Sequence, residues 1–397
     1  MRNKRKRVGH FVRKLLPPTA SFIKNQITAH INYVPVVVYK EYVESPFARE
    51  IKSSCRNLFL DNRKIHIEKK YSDFLYRKFR RITKGDVAKI LSYLRNDNAK
   101  ILHFHYGTDA GMYLDIIRYS KLPSVVSFYG YDCSSFPKWY FGYGRYYLSR
   151  VFRHVNYVLA MSEDMKNGLI DLGCPDEKII VHYYGTDVAQ FFYKRKYNEK
   201  GGANLLIVSS LDEKKGHLNV FKALEKTRQG NKIKIRFRVV GDGPLEKKLK
   251  QYVKQHNLNE IVTFVGPLKY LSKEFLQEFY NADIFMHPSI VASNGDKEGI
   301  PGTIVEAMAT GLPVISTYHA GIPYVVRHME TGLLVNEWDI NTLVEYICML
   351  AEDANLRKQI GQKAQQYALD ELDLKKKEIE LERIYDFVIE NHKKKNS

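Results

Sequence analysis

The sequence predicts an α/β protein made of two doubly wound, Rossmann-like parallel-sheet domains. Three observations carry this expectation. Short β-branched runs alternate with longer stretches of helical periodicity, which is how parallel strands covered by helices on both faces are written. The alternation runs through most of 397 residues, a length suited to two or three domains. Midway, the polar and turn-rich segment from Tyr184 to Gly202 interrupts it with no strand or helix pattern of its own. The domains are therefore expected at 1–190 and 191–375, with a charged terminal helix over 376–397 that packs back on the first.

Taken in order, the strands of the first domain are expected at 8–12, 34–39, 101–104, 124–128 and 157–161. Those of the second fall at 205–209, 235–240, 262–265, 284–287 and 313–317. From about residue 340 the pattern turns helical, with Leu343, Ile347 and Leu350 on one stripe. At 44% hydrophobic and 27% charged residues the chain can bury real cores and is not a disordered tail. Four scattered cysteines without a C-x-x-C pair exclude a zinc ribbon and a disulfide framework and fit a reducing compartment. No apolar run approaches the ~18 residues of a spanning helix, and Arg13 and Lys14 split the apolar part of the N-terminus. An unprocessed, soluble, cytoplasmic protein is expected.

The charge is uneven. The chain carries 63 Lys and Arg against 44 Asp and Glu, a net +19, and residues 1–100 alone hold 24 against 8. Anionic partners are implied: phosphates, nucleic acid or an acidic membrane surface. Lys4 to Arg7, Lys69, Lys70, Arg77, Lys78, Arg80 and Arg81, interleaved with Phe74, Tyr76 and Phe79, suit an amphipathic surface resting on anionic headgroups or a lipid diphosphate. A solvated helix explains the same residues. Nucleic acid is set aside because no nucleic-acid module is visible.

Ligands of open parallel sheets bind beyond the carboxyl ends of the strands, so the loops after strands hold the chemistry. The most informative is E-G-I-P-G-T-I-V-E-A-M-A-T-G over 298–311. A helix starting near Thr303 would offer the amides of Gly302, Thr303 and Ile304 to a phosphate. Glu306 has two readings: a ligand-binding carboxylate, or the partner of Thr303 in a capping box. Glu298 is either a solvated charge or its companion in one site. His103 and His105 alternate onto one strand face, but two histidines without an identifiable third are too few for a metal site, and none is expected.

On these residues the chain resembles the retaining GT-B glycosyltransferases of glycosyltransferase family 4. Glu298 and Glu306 with Ala307, Met308, Ala309, Gly311, Pro313 and Val314 reproduce that family's paired-glutamate signature. Lys215-Gly216, Gly241-Asp242-Gly243-Pro244, Val262-x-Phe264-x-Gly266 and Ala320-Gly321-Ile322-Pro323 accompany it. The resemblance implies a GT-B fold, two Rossmann-like domains facing a cleft, and a UDP- or GDP-linked sugar as donor substrate, with no cofactor or metal. Glu306 would grip the ribose and Glu298 the donor sugar. Amides at Gly302, Thr303 and Ile304 would hold the diphosphate with Lys215, and Gly266 would lie near the base. Ser210 stands where the family has an arginine, and Lys214 is a nearby substitute.

In the first half, the segment from Leu16 to Ile23 resembles the L-P-x-x-S-E-T-F-I run of the branch that builds exopolysaccharides and other surface glycans, placing Thr19 and Ser21 on the acceptor side. Thr19 also reads as the cap of a helix carrying Phe22, Ile23 and Ile27 inward. His105 falls in that branch's H-x-H-F-G segment, a cleft position. Tyr129 replaces the histidine of T-F-H-G-x-D, and Asp132 either orients an acceptor or caps the next turn. The resemblance implies transfer of a hexosyl-type sugar to a glycan or lipid-linked glycan with retention, at the inner face of the plasma membrane, with the leaving phosphate helping to deprotonate the acceptor. Ser210 and Tyr129 keep open the alternative of a catalytically weakened subunit that binds a partner transferase, and a GT-B nucleotide-sugar epimerase or phosphorylase is the alternative that keeps the fold and changes the reaction.

Overall fold

The computed structural model describes residues 5–15, 21–60, 66–197, 202–230 and 233–396. The chain forms two compact units: residues 1–185 joined by 374–397, and residues 186–373. The division falls after Gly185 and before Leu374.

Unit 1 is built on seven parallel strands: β1 (Lys6–Leu15), β2 (Tyr33–Tyr42), β3 (Arg56–Phe59), β4 (Ala99–His105), β5 (Ser124–Ser127), β6 (Tyr157–Ala160) and β7 (Ile179–Val181). Their order is β3-β2-β1-β4-β5-β6-β7, so the winding reverses between β1 and β4. The helix Leu374–Asn396 closes one face by setting Leu381, Tyr385 and Val388 on Val8, Ile101, Val125 and Leu159. Each such aliphatic side chain contributes about 1.5–3 kcal/mol by leaving water. On β1 the register pairs His10 with His103 of β4, which brings polar side chains together inside the sheet.

Unit 2 holds six parallel strands: β8 (Ala203–Val208), β9 (Ile235–Val240), β10 (Val262–Gly266), β11 (Ile284–His287), β12 (Val314–Thr317) and β13 (Gly332–Val335). The order β10-β9-β8-β11-β12-β13 places its reversal between β8 and β11. Leu205, Ile207, Phe237, Val239, Ile284 and Ile315 fill the core, and Leu343, Ile347 and Leu350 are buried against them along the predicted stripe. The strands β3, β7 and β13 were not anticipated. They are three or four residues long and lie at or beside sheet edges, where a strand needs little apolar sequence to pair.

Candidate functional site

The loops after β8 and β11 meet where the winding of unit 2 reverses, the place where such sheets bind ligands. After β8 the chain makes a single turn, Glu213–Lys215, and leaves it through Gly216 at φ 71°. A Cβ there would stand 1.9 Å from the Pro288 carbonyl oxygen, so only glycine lets the two loops touch. This close approach delivers Lys215 to Glu298, Nζ to Oε1 at 2.5 Å, while Lys214 pairs with Asp296 at 2.9 Å. Burial pushes the Glu298 carboxyl up, but Lys215, Lys214 and His287 outweigh it and hold it at about 2. Burial and Lys215 depress the His287 imidazole to about 3, leaving it neutral.

The backbone of Glu298 is fixed as well. Its N–H donates to His319 Nε2 at 3.1 Å, and His319 Nδ1 contacts Glu337 at 2.7 Å. These bonds assign the neutral tautomer with its proton on Nδ1. Glu337 also accepts from the Val291 N–H at 2.8 Å, so one carboxylate anchors both ends of the loop.

The helix Gly302–Ala309 starts after Pro301, and no side chain caps it. The capping-box reading of Glu306 is therefore overturned. Thr303 already lies inside the helix, and the Glu306 side chain points elsewhere, accepting a hydrogen bond from the Tyr270 hydroxyl at 3.0 Å. Its second oxygen is buried with no partner among the described residues. Burial, partly offset by Tyr270, raises this carboxyl to about 7. Of the three expected phosphate amides, Ile304 bonds the Pro301 carbonyl at 3.1 Å. Gly302 and Thr303 retain the N-terminal positions that have no intrahelical acceptor. Ser210 is exposed in the loop after β8, and Gly266 ends β10, its carbonyl accepting from Gly241 N at 2.9 Å. A cavity of about 510 Å³ opens beside the Gly216 turn, lined by Asp212, Glu213, His217, Tyr252, Ser293 and Trp338 among others.

In unit 1 the expectations are revised. Thr19 lies outside the described residues, and Ser21 opens the helix Ser21–Thr28, half-buried. His105, expected in a cleft, is fully buried. Its Nδ1 meets the Tyr129 hydroxyl at 2.7 Å and its Nε2 meets His10 Nδ1 at 2.9 Å. Asp132, read either as an acceptor-side residue or as a turn cap, is also fully buried and spends its oxygens on the amides of Gly107 (2.8 Å), Tyr129 (3.1 Å) and Gly130 (3.2 Å), as a turn cap does. It clamps the turn after β5 to the helix start after β4. A third histidine does exist, because the β1 register puts His10 beside His103 and His105; the ring nitrogens of this trio lie within 4.8 Å of one another. His30, Glu378 and Glu382 form a second such group. The sequence signal for both was a polar residue on an apolar element: His10 inside V-G-H-F-V, and Glu378, Glu382 and Tyr385 along the face of Leu381.

Two all-parallel Rossmann-like units, with a buried lysine–glutamate pair and a helix start at the switch point of the second, define the fold of the GT-B glycosyltransferases. Residues 35–190 match the model of Glycosyltransferase Family 4 and residues 190–367 that of Glycosyl transferases group 1. Together the two models span residues 35–367, and the chain is similar to the glycosyltransferases they describe. It is 35% identical over 195 residues to WcaL of Salmonella typhimurium, named for colanic acid biosynthesis, covering 49% of this chain and 47% of that one. To the amylovoran biosynthesis glycosyltransferase AmsK of Erwinia amylovora it is 35% identical over 205 residues, 51% and 49% of the two chains. The chain spans about half the length of these relatives. The fold is similar to that of Alr3699/HepE of Anabaena, solved in complex with UDP, at TM-score 0.76 and 17% identity over 96% of this chain and 99% of that.

Proposed function

We propose that this chain is a retaining glycosyltransferase that moves a hexosyl-type sugar from a nucleotide-diphosphate sugar to a glycan or lipid-linked glycan in surface polysaccharide biosynthesis. The observation that carries the reading is the convergence at the β8/β11 reversal: an ionised Glu298 held by Lys215, a buried Glu306 oxygen with no partner among the described residues, and the Gly302 and Thr303 amides at a helix start. Two glutamates suit the hydroxyls of ribose and sugar, and the amides with Lys215 suit a diphosphate. Such a site stabilises the departing diphosphate with fixed positive potential, which makes a divalent ion unnecessary. The printed names of WcaL and AmsK, and the UDP bound by the Anabaena protein, favour the same substrate classes.

Ser210 supplies no cation, and the Lys214 ammonium beside Asp296 adds to the field that keeps Glu298 ionised. This favours an active enzyme over a weakened subunit. The exposed Phe74, Phe79 and Phe141 and the basic N-terminal quarter suit peripheral contact with an anionic membrane on the cytoplasmic side; among the described residues no helix is long and apolar enough to cross one. Calorimetric titration with UDP, GDP and their sugar conjugates tests the reading, with Glu306→Ala as control. Binding of one nucleotide that the substitution abolishes is expected, and transfer then proceeds in chelator with retained anomeric configuration in the product. No binding of any nucleotide would overturn the proposal.

A further inference from the structure

Two groups of potential metal ligands lie inside unit 1, and their hydrogen bonding tells them apart. In the first, His10, His103 and His105, all six ring nitrogens are engaged. His10 Nδ1 meets His105 Nε2 at 2.9 Å, and His10 Nε2 meets His30 Nε2 at 2.8 Å. His103 is held by the Tyr385 and Ser127 hydroxyls, and His105 Nδ1 meets the Tyr129 hydroxyl at 2.7 Å. An ion on these nitrogens would break bonds already made.

The second group is the reverse. His30, in the loop between the helix Ser21–Thr28 and β2, meets Glu378 and Glu382 of the terminal helix Leu374–Asn396. The two glutamates are one helical turn apart and share a face. His30 Nδ1 contacts a Glu378 oxygen and lies 3.8 Å from Glu382 Oε1, and the three side chains are only 1–5% exposed. Yet neither His30 Nδ1 nor either Glu378 oxygen has a hydrogen-bond partner among the described residues. A buried carboxylate in that condition is costly and calls for a counter-ion.

The bonds outside the group leave the nitrogen bare as well. The Tyr129 hydroxyl donates to Gln26 Oε1 at 2.9 Å, so it accepts from His105 Nδ1–H. Burial holds His105 and His10 neutral, and a neutral imidazole has one N–H. His105 Nε2 therefore accepts from His10 Nδ1–H, and His10 Nε2 accepts from His30 Nε2–H. With that proton on Nε2, a neutral His30 turns a lone pair toward two carboxylates. Neither carboxylate pairs with a lysine or arginine among the described residues, and the neighbouring Lys377 goes to Glu380 at 3.1 Å. Burial, opposed by His30 and reinforced by Glu382, raises the Glu378 carboxyl above the usual range, as expected where positive charge is short.

We infer that His30 Nδ1, both oxygens of Glu378 and Glu382 Oε1 bind one zinc ion. An imidazole nitrogen with carboxylate oxygens is a ligand set that zinc accepts, and the two carboxylates balance its charge. The surrounding bonds hold the ligands in place. His10 takes the His30 Nε2–H, and Glu382 accepts from the amides of Ile31, Asn32 and Tyr33. The ion pins the terminal helix to the loop before β2, a cross-link inside unit 1 between segments far apart in the chain. It takes no part in the transfer proposed above, whose donor site lies in unit 2. A ligand set this sealed releases its ion only when the terminal helix lifts, so chelator added during an assay leaves it bound.

The test is metal analysis of the full-length chain produced with zinc and purified without chelator. One zinc per chain is expected, and X-ray absorption should show a nitrogen and oxygen shell at about 2.0–2.2 Å with no sulfur at ~2.3 Å. Glu378→Gln and His30→Gln should each weaken zinc binding about a hundredfold or more, whereas His103→Gln should keep it. After prolonged dialysis against chelator, zinc at a hundredfold excess over its dissociation constant should raise the thermal midpoint of wild type by about 5–10 °C. The midpoint of Glu378→Gln should not move. Zinc-free Glu378→Gln should be at least as stable as zinc-free wild type, because it removes a buried charge, and this shows that the variant folds. A proton on His30 in place of the ion predicts the opposite: no zinc in wild type, no shift when zinc is added, and Glu378→Gln the less stable chain. That result would overturn the site. So would zinc that survives Glu378→Gln but is lost in His103→Gln, which would put it on the three histidines, or a sulfur shell, which would put it on cysteine.

Discussion

The ammonium of Lys215 lies 2.5 Å from the carboxylate of Glu298, with the two side chains 14% and 8% exposed. Each offsets much of the other's loss of hydration, and Lys214 and His287 add to the field on Glu298. The pairing arises only because the Gly216 turn rests on the Pro288 carbonyl.

Lys215→Met should destabilise the chain by about 3 kcal/mol, because it strands a buried carboxylate. Adding Glu298→Gln should restore much of the loss. Glu298 is depressed to about 2, so its contribution to stability is present above its ordinary unfolded value and is lost as pH falls toward 2. In Lys215→Met the stranded carboxylate is relieved by protonation, so the deficit against wild type should shrink as pH falls. Urea titrations of the three variants across the acid range check both statements.

Nucleotide affinity should rise with pH through about 7, since Glu306 must ionise to accept hydrogen bonds from two ribose hydroxyls. Stability should move the other way. A raised carboxyl contributes stability below its unfolded value, and that contribution is lost as pH rises through the folded value. Glu306→Gln should remove the pH dependence of binding near neutrality, as calorimetry at several pH values will show.

Asp132→Ala would leave the amides of Gly107, Tyr129 and Gly130 without their acceptor in a buried site, at a cost of about 3 kcal/mol. A loss under about 1 kcal/mol by chemical denaturation would contradict the clamp described here.

Gly107→Ala should cost about 2 kcal/mol, because the new methyl would meet the Phe128 ring at 2.4 Å. Thermal unfolding reads this directly.

Replacing the exposed Phe74, Phe79 and Phe141 with serine should weaken binding to vesicles rich in anionic lipid while leaving folding intact. Raising salt should weaken what remains, and co-sedimentation measures both effects.

Much of the fold was legible in the chain. Every strand expected from an apolar run is present, because a central parallel strand is buried on both faces and must be written in β-branched and aliphatic residues. The unexpected strands β3, β7 and β13 are short edge or near-edge elements whose pairing follows from a neighbour already in place. Glu298, Glu306 and Lys215 could be named from motif spacing, since the loops that carry them follow strands directly. What Glu306 does could not be, because a capping box and a buried carboxylate share the T-x-x-E spacing until the helix start is located.

By itself the sequence determined the alternation of strands and helices, the number of doubly wound units and the loops that end at their switch points. Those features depend on local periodicity and on residues near one another in the chain. Only the tertiary structure decided which distant side chains meet. The parallel register carries His10 to His103 and His105, and the terminal helix carries Glu378 to His30 across 348 residues of chain. It also sealed His105 and Asp132 away from solvent, since burial depends on what is packed from every side and no spacing along one strand records that.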